Sequence, residues 1–175
     1  CAGGVAAQIS DGVVKIAIRN DQSGIFSAAG GFGAVVAARM AVEDAGGTVL
    51  GRPVEVVFAD NQSKPDIGVS IARRWFDAER VDVIVDGGNS AVGMALQAVA
   101  KEKNKLFLIS GSGTTALTNQ NCSATGFQWS WDTYALAAGT ANAMVKQGSD
   151  SWFFITADYT FGQLLVLSLY QQYQK

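Results

Sequence analysis

Apolar and polar positions follow two rhythms along this chain, and the rhythms alternate. Short, mostly apolar runs stand at residues 13–18, 54–59, 81–85 and 106–109, each the length of a buried strand. Helix-length stretches separate them. Over residues 31–44 the four-residue spacing of Phe32, Val36 and Met40, with Val35 beside them, predicts a helix with one buried stripe, ended by Gly46-Gly47. Ser63-Lys64-Pro65-Asp66 has capping-box spacing, with proline tolerated in the first turn. The helix it starts puts Ile67, Ile71 and Trp75 on one face and leaves Arg73, Arg74 and Glu79 largely outside. A third helix buries Val92, Leu96 and Val99, with residues 101–105 as its solvated end.

Strands alternating with helices in this way predict an α/β fold with a doubly wound parallel sheet. Right-handed crossovers then place helices on both faces. Four parallel strands are expected within residues 12–110, in the flavodoxin-like order. After Gly126 the texture changes: Phe127, Trp129 and Trp131 alternate with polar residues. A helix over residues 133–146, a strand over 151–157 and a helix from Phe161 onward then resemble the start of a second layer. One full strand cannot complete a domain.

Composition narrows the function. The chain has 175 residues, 49% of them hydrophobic, enough for one domain or one and a fraction. Histidine is absent, which removes Ser-His-Asp and Cys-His catalysis and the usual histidine-containing zinc sites. The net charge of −2 comes without a dense Lys/Arg cluster, so the attraction that drives nucleic-acid binding is missing. No apolar run approaches the ~18 residues of a membrane span. Cys1 and Cys122 make no metal site between them, and no cofactor is implied. The small-residue opening CAGGVAAQ reads as an export-signal remnant or flexible N-terminus, with a lipid-modified Cys1 as the alternative.

Ligands of open parallel sheets bind beyond the carboxyl ends of the strands, so the loops there are the candidates. Gly87-Gly88-Asn89-Ser90 precedes the third helix, where free N–H groups and the helix dipole favour an anion by about 0.3–1 kcal/mol. Asn89 or Ser90 can equally cap that helix, and one residue can do both. The run from Ser110 to Thr115 carries more hydroxyls than a cap requires. Ser90 sits in Gly-x-Ser-x-x-Gly, one residue off a hydrolase elbow and without a histidine to activate it. Gly31-Phe32-Gly33 with Asp60 superficially matches a dinucleotide fingerprint, but Val36 replaces the third glycine and the loop from Asn20 is too long. Trp129, Trp131 and Tyr134 can stack on a ligand or pack between layers. Asp158 either caps the last helix or reaches a ligand.

The order of VVKIAI, the Ser23-Gly24 loop, AVEDAGGTVLGRPVEVVFAD, IARRWFDAERVDVIVDGGNS, EKNKLFLISGSGTTALTN, FQWSWDTYALA and DSWFFITADYTFG resembles one family over residues 10–162. It is that of the type I periplasmic solute-binding proteins of ABC importers, in the branched-chain amino acid group. The resemblance implies two α/β lobes closing on a ligand, with residues 12–125 as the first lobe. Residues 126–175 would be a hinge crossing and an incomplete second lobe, and residues 1–11 lie outside both. It further implies that Ser90, Ser112 and Thr114 hold a ligand carboxylate, while Ser23 to Phe26 and Tyr134 contact the rest of the ligand. Tyr159 or Phe161 would face it from the second lobe.

The expected function is therefore capture of a small amino acid, amide or aromatic acid in the periplasm for an ABC permease, without enzymatic activity. A sensory domain of the same fold is the alternative, and a nucleotide-dependent oxidoreductase comes third. The tail QLLVLSLYQQYQK has no charge before Lys175, where a charged amphipathic helix is expected, and reads as a truncated product. With only part of the second lobe, weak binding is expected.

Overall fold

The computed structural model describes residues 11–173. The apolar residues Val14, Ile16, Ala17 and Ile18 anchor β1 (Val14–Asn20), followed by a loop and α1 (Gly31–Asp44). A two-residue strand β2 (Thr48–Val49) turns back into β3 (Arg52–Asp60), and α2 (Pro65–Asp77) leads to β4 (Val83–Asp86). Then come α3 (Ser90–Lys103), β5 (Leu106–Ile109), a 3₁₀ turn (Thr115–Leu117) and β6 (Gly126–Gln128). Two helices, α4 (Thr133–Lys146) and α5 (Thr160–Tyr173), complete the chain and pack on each other.

The sheet order is β2-β3-β1-β4-β5-β6. Every neighbour pair is parallel except β2 with β3. Taken without the short β2, this is the flavodoxin-like order, and the order reverses between β1 and β4. Successive strand residues face opposite sides of the sheet. On one side Ala17, Ile84, Phe107 and Ile109 form the main core with Trp75 and Phe76 of α2 and Val92, Leu96 and Val99 of α3. On the other, α1 lies over β1 and β3. Exposed ion pairs, Arg73–Glu102 and Lys103–Asp77, link α2 to α3.

Three local expectations are corrected. The stripe Phe32, Val36 and Met40 is not buried: all three are exposed, and Val35 supplies the buried contact of α1. Phe32 instead meets Phe58 edge-on at 5.3 Å, and Arg39 covers the same ring. Ser63 does not cap α2, whose N-cap is Lys64 with no side-chain bond. Its hydroxyl is taken by Asp21, at 2.7 Å. Finally, residues 151–157 form no strand and do not join the six-stranded sheet of the described residues. Their two-residue alternation survives all the same, with Trp152 and Phe154 stacked inward and Phe153 and Ile155 turned outward.

Candidate ligand-binding cavity

The carboxyl ends of β1 and β4, where the strand order reverses, open on a cavity of about 810 Å³. This is the position that strand polarity favours for a ligand, and the size suits a small molecule. Asn20 and Asp21 enter it from β1 and its loop, and Asp86, Gly88, Asn89 and Ser90 from β4 and α3. Ser110, Gly111 and Gly113 follow β5, and small residues of α1 such as Ala34 and Ala37 close another wall. Phe26, Trp131, Tyr159 and Phe161 complete the lining. Among the described residues its charged lining is Asp21 and Asp86, with no lysine or arginine.

The first turn of α3 is built for an acceptor. Asn89 caps the helix, its side-chain oxygen taking the Val92 N–H at 3.0 Å, and its carbonyl takes the Gly93 N–H. The N–H groups of Ser90 and Ala91 have no acceptor within the helix. Ser90 is 2% exposed and its hydroxyl has no hydrogen-bond partner. A buried hydroxyl left unpaired costs about 1–3 kcal/mol.

The other hydroxyls are engaged elsewhere. Ser112 is fully buried and its Oγ donates to the Asn89 carbonyl at 2.9 Å and the Gly88 carbonyl at 3.2 Å, tying the β5 loop to the start of α3. Thr114 Oγ1 takes the Ala116 N–H and caps the 3₁₀ turn. Neither residue lines the cavity. Ser23 bonds to Asp60 outside it, and Tyr134 lies half-exposed on α4, also away from the lining. The structure thus brings Ser90, Tyr159 and Phe161 together around one space and sets Ser23, Ser112, Thr114 and Tyr134 behind or beside it.

Aromatic rings form one side of the mouth. Phe26 meets Tyr159 at 5.9 Å, Tyr159 stacks with Phe161 at 6.0 Å, and Phe161 meets Trp131 edge-on at 5.6 Å. This chain of rings links the β1 loop to the segments after β6 and before α5. Trp131 lies directly on Gly113, where a Cβ would stand 1.9 Å from its ring. Trp129 lies outside the lining.

Two acidic residues differ in state. Burial alone would raise Asp21, but the N–H groups of Phe26 and Gly24 and the Ser63 hydroxyl outweigh it, and its carboxyl lies below the ordinary 3.8. Those bonds fold the loop that follows β1. Asp86 goes the other way. Desolvation raises it above 3.8, although Asn20, Ser110 and the Gly88 N–H each favour its charge. Its backbone has φ +87, a strained value for a residue with a side chain.

Sequence reading passed over Asn20, Asp21 and Asp86. Their signal was present: an acidic or amide residue closing an apolar strand at the carboxyl end. It is the same signal that drew attention to Asp60, which bonds the Ser23 loop and stays outside the cavity.

The profile of the periplasmic binding protein family matches residues 13–175. A periplasmic binding protein from Burkholderia mallei is 43% identical, with a TM-score of 0.91 over 94% of this chain and 44% of its own. A branched chain amino acid ABC transporter periplasmic ligand-binding protein from Burkholderia xenovorans LB400 is 31% identical, with a TM-score of 0.82 over 92% and 43% of the two chains. A solute binding protein of an ABC transporter from Rhodopseudomonas palustris BisB5, solved with 3,4-dihydroxy benzoic acid, shares the fold at 19% identity and a TM-score of 0.83, over 94% and 44%. Comparison with the curated proteins gives no match. The chain belongs to the periplasmic binding protein family, and it spans less than half the length of these solved relatives. Family and neighbours alike are binding proteins.

Proposed function

We propose that the protein is the solute-capturing component of an ABC importer, working in the periplasm, and that it takes a small carboxylate into the cavity at the β1/β4 reversal. The observation that carries this reading is the buried, unpartnered Ser90 hydroxyl at the open first turn of α3. A carboxylate there accepts from Ser90 Oγ and from the adjacent N–H groups, with the helix dipole behind them. Ser112 and Thr114 serve indirectly, by fixing the loop against α3. Tyr159, Phe161 and Trp131 offer faces to the apolar part of the ligand. The dihydroxybenzoate bound by the Rhodopseudomonas relative is of this size and chemistry.

The test is a thermal-shift and NMR screen of small carboxylates, amino acids and benzoates included, on the chain and on its Ser90→Ala variant. At least one carboxylate should stabilise the chain and move the Ser90 and Ala91 amide signals, and the variant should lose the effect. The reading fails if no carboxylate acts at millimolar concentration, or if Ser90→Ala responds unchanged.

A further inference from the structure

The cavity wall contributed by β1 and β4 is the chemical opposite of the α3 turn. Asn20 is 3% exposed, and its Nδ2 donates to the Gly31 carbonyl at 2.7 Å. That bond fixes the amide orientation, so Oδ1, a pure acceptor, is left over. It has no partner. Asp86, 8% exposed, stands beside it, the Asn20 amide nitrogen and the Asp86 carboxylate both approaching Gly30. One carboxylate oxygen of Asp86 lies where a Cβ on Gly111 would be 2.2 Å away, so the loop after β5 closes over that oxygen.

A buried acceptor without a donor, as at Asn20 Oδ1, carries a desolvation cost just as a buried donor without an acceptor does. Asp86 takes hydrogen bonds from Asn20, Ser110 and the Gly88 N–H, but a buried carboxylate is ordinarily paired with a cation, and among the described residues no lysine or arginine lines the cavity. The helix turn and the strand ends therefore present two complementary sets of groups to one space: donors at Ser90, acceptors at Asn20 and Asp86.

We propose that Asn20 Oδ1 and the Asp86 carboxylate are specificity-determining groups that bind a hydrogen-bond donor on the ligand. The site then selects carboxylates bearing a second, N–H or O–H group over carboxylates bearing none. This rests on the carboxylate reading of Ser90, since it concerns the other end of the same ligand. The selection follows from the penalty for burying Asn20 and Asp86 against an apolar group. It is worth about tenfold or more in affinity.

Three probes with one ring and one carboxylate separate the cases: benzoate, 4-hydroxybenzoate and 4-(aminomethyl)benzoate. Each is titrated into the 175-residue chain, with the Ser90 amide and the Asn20 side-chain amide followed by NMR. Both donor probes should bind at least tenfold more tightly than benzoate and move the Asn20 signal, which benzoate leaves in place. An advantage confined to the ammonium probe assigns the donor to Asp86, and an equal advantage for the hydroxyl probe assigns it to Asn20. Asn20→Leu should cut the preference below twofold. If that variant does not fold for want of the Gly31 bond, Asp86→Asn should abolish the ammonium advantage in its place. Equal affinities for all three probes, with the Ser90 signal moving, overturn the inference and leave the carboxylate reading intact. No movement at Ser90 with any probe overturns both.

Discussion

The guanidinium of Arg19 rests on Gly68: a Cβ at residue 68 would stand 3.1 Å from Nη2 and 3.2 Å from Nη1. Arg19 is fully buried, and none of its three nitrogens has a hydrogen-bond partner. Burial pulls it down to about 10, with only the more distant charge of Asp60 opposing. β1 thus carries a cation into the sheet–α2 interface beside Ala17, and α2 accommodates it by having no side chain at residue 68.

Replacing Arg19 with leucine should stabilise the protein. An unpaired buried charge exchanged for an apolar side chain gains about 1–4 kcal/mol, or about 2–4 °C in Tm for each kcal/mol in a chain this long. Urea unfolding of Arg19→Leu checks it; a lower midpoint would show that Arg19 contributes net stability.

Gly68→Ala should depend on what occupies residue 19. With Arg19 present the new methyl crowds the guanidinium and destabilises. In the Arg19→Leu background the helix gain from glycine to alanine, about 1 kcal/mol, should emerge. A double-mutant cycle should give a coupling of at least about 0.5 kcal/mol in magnitude. Simple additivity would rule the contact out as the reason for glycine.

Much of this architecture was legible in the sequence, because periods of two and 3.6 survive in any protein that buries one side of each element. The runs that became β1, β3, β4 and β5 were visible, as were the boundaries of α1, α4 and the Val92-Leu96-Val99 face of α3. What periodicity cannot say is whether anything covers the apolar face it finds. Phe32, Val36 and Met40 make a good stripe and are exposed. Residue type also fails to separate a hydroxyl left unpaired from one that locks a loop. Ser90 and Ser112 are both buried serines at strand ends, and only the placement of the Gly88 and Asn89 carbonyls distinguishes them.

Ser90 and Asn89 should separate binding from stability. Ser90→Ala removes a buried hydroxyl with no internal partner, and the unfolding free energy should rise by about 1–3 kcal/mol. Asn89→Ala removes the cap of α3 and should cost about 1 kcal/mol. Chemical denaturation of both variants decides it, and a large loss for Ser90→Ala would point to a structural bond instead.

Asp86→Asn should be more stable than the parent at neutral pH. The folded state holds the Asp86 proton above 3.8, so ionisation disfavours folding as pH rises through the folded value, and the deficit persists above it. The variant carries no such deficit. Its Tm advantage, followed from about pH 7 to about pH 3, should shrink as both states of the parent become protonated. An advantage independent of pH would trace to packing rather than to charge.

Phe153 and Ile155 are 89% and 92% exposed on a segment with no sheet partner among the described residues. Unpaired apolar segments of this kind recruit other chains. Sedimentation should show concentration-dependent association, reduced in a Phe153→Lys, Ile155→Lys double variant. Identical sedimentation of the two proteins would place any association elsewhere.

The pairing of β1 sets Arg19 opposite Asp86 and Asn20 opposite Asp60. Sliding β1 by one residue would exchange its faces, turning Asn20 away from the cavity and bringing a neighbouring charge, Arg19 or Asp21, into its place. The polarity met by a ligand is in that sense inherited from strand alignment. Grafting the surrounding loops onto another sheet would transplant the shape of the cavity while losing its chemical direction.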